Sequence, residues 1–200
     1  MAWLDDPEMI EERCQALAQP HLLPLEAWRQ TLLVDGQPVP HFDPADGEIN
    51  ARLLLLLETP GPGPDRTRFV SRDNTSGTAR NLRRYLDEAG IDRRDMLLWN
   101  TVPWIMHVPG VRNRALRKCE IERGLATLPG LLTQLPKLEV CLLAGRVAAK
   151  AEHLVSTSDP SITIITMPHP SPANVCTSPK VGERVRAAFD EAAAALCNQS

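Results

Sequence analysis

Two hundred residues, 43% hydrophobic and 24% charged, hold enough apolar material for one core and exclude a fibrous or low-complexity polymer. The acidic start MAWLDDPEMIEER lacks the basic and apolar stretches of a signal peptide, and the longest purely apolar run, Leu53–Leu57, is far too short to cross a bilayer. The net charge of −3 conceals an asymmetry: residues 66–118 carry eleven arginines and Lys118 against five acids, a local +7 that leaves −10 for the remainder.

The chain opens with two helix candidates, at 7–18 and 24–33, followed by DGQPVPHFDPADGE (35–48), which reads as a loop leading into a sheet. RLLLLLE (52–58), MLLWN (96–100), EVCLLAG (139–145) and SITIITM (161–167) are apolar runs without polar alternation, the pattern of strands buried on both faces. Helical patterns lie between them. Residues 77–89 set Leu82, Tyr85, Leu86 and Ala89 on one face before Gly90, 113–128 start at an Asn113 cap, and 146–154 follow Gly145. The last helix begins at Ser178-Pro179, a cap followed by proline at the first helical position. Strands alternating with helices predict an α/β fold: three layers, α/β/α, around a short, mainly parallel sheet of four strands.

Five cysteines, at 14, 119, 141, 176 and 197, are odd in number and include no CxxC pair. Neither a disulfide framework nor a zinc or iron–sulfur site is expected, and a reduced, cytoplasmic protein is the default. Arginines outnumber lysines eighteen to four, and guanidinium forks suit phosphate oxygens, so the basic middle favours an anionic partner. An alternative is a solvated helix face, since Arg83, Arg84, Arg93 and Arg94 fit one as well.

The unusual residues follow predicted strands: ETPGPGPD the first, NTVPW the second and MPHPSP the fourth. In an open parallel sheet the ligand crevice lies beyond the carboxyl ends of the strands, so the three loops converge. His169 stands between Pro168 and Pro170, which stiffen the backbone on either side. Taken alone, the segment also reads as a proline-rich surface turn with an incidental histidine.

These stretches together resemble the uracil-DNA glycosylase superfamily. Glu58-Thr59-Pro60-Gly61 resembles the G-E-A-P-G loop of the thermophilic-type branch, and RFVSRDNTSGTARNLRRYLDEAGI its segment in which a phenylalanine precedes a helix. LLWNTVPW resembles the strand ending in an asparagine, and HPSP the second signature loop. The resemblance runs from about residue 50 to the C-terminus and implies a single glycosylase-like domain over 1–200, with 1–48 as helices and a lead-in loop. It further implies a monomer that acts on DNA carrying a damaged or deaminated base, with no membrane partner and no cofactor.

Each matched position then has a chemical task. Phe69 would stack on an extruded base, a contact that contributes about 1–3 kcal/mol per base. The Asn100 carboxamide would pair with the base edge. His169 would donate a hydrogen bond to the O2 atom on which negative charge collects as the glycosidic bond breaks. Ser171, Arg68, Arg72, Arg112 and Arg114 would meet the phosphates. A core phenylalanine and a turn-capping asparagine are the plain alternatives for Phe69 and Asn100.

The sequence departs from the family pattern in the first loop. Thr59 stands where much of the superfamily carries an aspartate or asparagine, and a neutral hydroxyl is a poor general base. Glu58 is the nearest carboxylate, so Glu58 and Thr59 together are the candidates for placing water. The four iron–sulfur cysteines of the branch are missing, so no cluster is expected. Gly61 stands where some relatives place a tyrosine against the thymine methyl. Ala173 offers no apolar wedge, which leaves Val175 to fill the gap of a flipped base. Thr59 also fits a superfamily member that binds altered DNA without cutting it. A third class, a doubly wound enzyme for small phosphorylated ligands, is disfavoured by the lack of GxGxxG or GxxxxGK[ST].

Overall fold

The computed structural model describes residues 3–33, 37–61, 69–106 and 114–198. Arg68, Arg112 and the expected Asn113 cap lie outside the described residues. The N-terminal helices are α1 (Pro7–Ala16) and α2 (Leu23–Thr31). Asp6 starts α1 by accepting the Glu8 N–H at 3.0 Å, with Pro7 at the first position, where its missing N–H is not needed.

Four runs become strands: β2 (Leu53–Leu57), β4 (Met96–Asn100), β5 (Val140–Ala144) and β6 (Thr163–Met167). They form one parallel sheet in the order β4-β2-β5-β6. The five leucines of β2 are buried without alternation because the strand is covered on both faces. A second parallel pair joins β1 (His41–Phe42) to β3 (Phe69–Val70), with His41 opposite Phe69. The expected lead-in loop over 35–48 therefore contains a strand.

Helices cover both faces. On one side α3 (Gly77–Glu88), α8 (Pro172–Val175) and α9 (Pro179–Asn198) pack together, with α9 against β5 and β6. On the other side α5 (Leu128–Leu132) packs between α2 and α7 (Glu152–Ser158). Ser76 caps α3 by accepting the Ala79 N–H at 3.1 Å, and Gly90, at φ +68°, ends it. The α/β/α expectation is met.

Two helices differ from the sequence reading. The single helix expected over 113–128 is α4 (Lys118–Leu125) followed by α5, because Pro129 has no N–H to continue the ladder. The segment after β5 starts with the four-residue α6 (Gly145–Ala148), tightens through a 3-10 turn at Ala149–Ala151 and continues as α7 to Ser158. Among the described residues no helix is long and apolar enough to cross a membrane.

Candidate active site

Strand β2 connects to β4 on its left and β5 to β6 on its right, so the connections diverge between β2 and β5. A crevice opens beyond the carboxyl ends of strands at such a point. The loops here are tied together. Thr101 donates its N–H and its hydroxyl to the Leu57 carbonyl, both at 2.8 Å, and the Val102 N–H donates to the Glu58 carbonyl at 2.9 Å.

The crevice holds a cavity of about 600 Å³ lined by Glu58, Thr59, Phe69, Asn100, Arg114, His169 and Ser171. Seven of the ten residues singled out in the sequence thus meet in one place, brought from β2, β3, β4, the segment before α4 and the β6–α8 loop. Asn100 is 3% exposed at the end of β4, so its carboxamide faces little solvent competition. Arg114 reaches the cavity while donating to Glu120 at 2.8 and 2.6 Å. Those hydrogen bonds, with Arg117 adding more, hold the Glu120 carboxyl well below the usual carboxylate range.

His169 is fixed from several directions. The Ser171 N–H donates to its Nδ1 at 3.2 Å, which makes Nδ1 an acceptor and puts the proton of the neutral ring on Nε2. Burial lowers its pKa from the ordinary value, favouring that neutral form. Asn174 Nδ2 donates to the His169 carbonyl at 3.2 Å and Asn81 Nδ2 to the Pro170 carbonyl at 2.9 Å, pinning the two peptide units that follow the imidazole. The result is a single N–H donor on a loop with little freedom.

Phe69 is held on a strand too short to be stable alone. The His41 ring lies 5.9 Å from its ring, and Asn74 Nδ2 donates to its carbonyl at 3.0 Å. His41 Nδ1 in turn donates to Glu26 at 2.8 Å. Two residues on, the Ser71 hydroxyl donates to Asp43, beside which lies a buried ion network. Arg93 bonds Asp43 and Asp73 at 2.6 Å and Asp46 at 3.0 Å, while Arg13 also pairs with Asp43 and Asp73, and Arg83 with Asp73. Burial, with the neighbouring Asp43, pushes the Asp46 carboxyl well above its ordinary value.

Arg72 does not line the cavity. Its side chain is 14% exposed and pairs with Asp87 at 3.6 Å. Val175 ends the short α8 half-buried, beside Gly182 of α9. Ser71, Asn74, Ser76, Thr78 and Asn174 also line the cavity and were missed. The polar run SRDNTSGT after Phe69 was the available signal, but only the family resemblance and Arg72 were read from it.

A model of the Uracil DNA glycosylase superfamily matches residues 44–196. The chain belongs to this superfamily. Among solved structures, the crystal structure of wild-type SMUG2 from Pedobacter heparinus matches at 14% identity and a TM-score of 0.51, covering 76% of this chain and 77% of that one. This is a likeness of fold. No curated protein matches the sequence. The cavity therefore sits in a DNA glycosylase family, and α1, α2 and β1 precede the matched residues.

Proposed function

We propose that this chain hydrolyses the N-glycosidic bond of uracil, or a related deaminated base, in DNA and leaves an abasic site for base excision repair. The observation that carries the reading is His169: a neutral imidazole whose Nδ1 is occupied by the Ser171 N–H, so that Nε2–H is the donor toward the cavity.

The target nucleotide leaves the stack and its base enters the cavity, since the glycosidic carbon is out of reach inside a duplex. Phe69 stacks on the base. Asn100 pairs with its edge, its carbonyl taking the N3–H of uracil and its NH₂ giving to O4, a pattern cytosine reverses. As the C1′–N1 bond breaks, the electron pair goes to the base and His169 Nε2–H stabilises charge at O2. The donor is already in place, so it favours the transition state over the ground state. Water held by Glu58 and Thr59 adds to C1′, Glu58 takes its proton, and the base departs protonated at N1 after that proton is passed on. Ser171 and Arg114 meet the phosphates beside the flipped nucleotide. No cofactor enters this scheme, and the protein works as a cytoplasmic monomer.

The test is excision from end-labelled oligonucleotides carrying uracil, hypoxanthine, xanthine or a thymine mispair, single- and double-stranded, followed by alkali. Strand cleavage that is lost in Asn100→Ala and His169→Ala supports the reading. Salt-sensitive binding with no cleavage of any substrate overturns it in favour of the non-cutting reader of altered DNA that Thr59 also fits.

A further inference from the structure

A second cleft, of about 730 Å³, adjoins the first and shares Glu58, His169 and Asn174 with it. Its apolar lining includes Leu116, Val147 and Val181, all half-buried. Three exposed cations, Arg146, Lys150 and Arg184, also line it and come from the segment after β5 and from α9. Among the described residues none of the three makes an ion pair, and Glu58 is the single acid in the lining.

This contrasts with the arginine-rich middle of the chain. There Arg83 and Arg93 face buried aspartates, Arg72 faces Asp87, and Arg114 and Arg117 face Glu120. Among the described residues, the cations lining the second cleft without an ion pair are therefore Arg146, Lys150 and Arg184, none of them from that stretch. An apolar lining edged by cations and continuous with a base pocket fits a nucleotide strand, whose phosphates and base faces need both kinds of surface.

We propose that the second cleft holds the DNA strand on one side of the flipped nucleotide. Arg146, Lys150 and Arg184 take its phosphates, and the adjacent base lies unpaired against Leu116, Val147 and Val181. The inference rests on the glycosylase reading for the placement of the flipped nucleotide, but its test reads binding rather than turnover.

The full chain and its Arg146→Gln/Lys150→Gln/Arg184→Gln variant are titrated by fluorescence anisotropy at several salt concentrations. The probes are fluorescent single-stranded oligonucleotides with one uracil flanked on the 5′ side only, the 3′ side only, or both. Each phosphate contact on a single strand contributes ~0.7 to the slope of log affinity on log salt, so the triple variant loses about 2 units of slope. The loss appears with one single-flank probe and not with the other. Replacing the nucleotide next to uracil on that flank by an abasic residue weakens wild-type binding about fivefold or more. An unchanged slope, an equal loss on both flanks, or indifference to the abasic residue overturns the proposal. Excision with an unchanged slope defeats this inference alone. A flank-specific slope change without excision supports it while defeating the glycosylase reading.

Discussion

Gly145 offers a direct test of whether His169 must be held where it is. Its backbone lies at φ +92°, and a methyl group on it would stand 3.0 Å from His169 Cβ and 3.7 Å from both Cα and Cδ2 of the same residue. Gly90 supplies the control, since it lies at φ +68° and a methyl there meets nothing within 4 Å. Alanine in this left-handed region costs about 1–2 kcal/mol of backbone strain at either site. Only at Gly145 does the methyl also push on the histidine, which must yield by a few tenths of an ångström. The Ser171 N–H to Nδ1 bond, at 3.2 Å, has little slack to absorb that displacement. A misplacement of about 1 Å costs on the order of a hundredfold in rate, so a few tenths correspond to about three- to tenfold. Urea unfolding and single-turnover excision of uracil, run on both variants, separate the effects. Both proteins should lose about 1–2 kcal/mol of stability. Gly90→Ala should excise like the wild type, and Gly145→Ala more slowly by the stated factor. Equal excision rates in the two variants would refute the claim that the position of His169 limits the reaction.

Two other measurements probe the surroundings. Arg93→Met leaves Asp46 without its ion-pair partner and Asp43 and Asp73 short of one, in a site where Asp43 and Asp46 are wholly buried. Removing one side of a buried pair costs about 3–5 kcal/mol, which urea unfolding will read, and a loss below about 1 kcal/mol would show that the network is not structural. The pKa of His169 is lowered by burial from an ordinary value of 6.5, so between those two values the unfolded chain binds more protons. Stability attributable to this residue is therefore fully present above that ordinary value and falls as the pH drops toward the folded one. His169→Gln should flatten the acid side of a plot of urea midpoint against pH, and superimposable plots would remove the assignment.

The sheet was legible because a parallel strand covered on both faces has no polar alternation, and RLLLLLE, MLLWN and EVCLLAG stand out for that reason. Parallel strands also end at the same edge, which is why Glu58, Asn100 and His169 were expected together and line one cavity. The strands β1 and β3 were illegible, since two residues carry no period. So were the ion pairs. Arg93 meets Asp43, Asp46 and Asp73 at separations of 50, 47 and 20 residues, and no local pattern marks such partners. Two of the acids, Asp43 and Asp46, sat in the stretch read as a loop leading into the sheet, and Asp73 in the polar run after Phe69.

Charge consequently serves two purposes that composition alone cannot separate. A local excess of arginine suggests an anionic partner, but a guanidinium next to a buried carboxylate is already compensated and adds little field outside. Here the inward-facing set ties α1, the loop after β1 and the segment after β3 into one network: Arg13 reaches Asp43 and Asp73, and the Ser71 hydroxyl reaches Asp43. That network holds β3, and with it Phe69, where two strand hydrogen-bond partners alone do not suffice. It also gives the helices preceding the matched superfamily residues a reason to be present, since Arg13 belongs to them. Among the described residues, Arg146, Lys150 and Arg184 of the second cleft make no ion pair, and they lie beside His169 in space while standing outside the basic stretch in sequence, so they are available to a polyanion there.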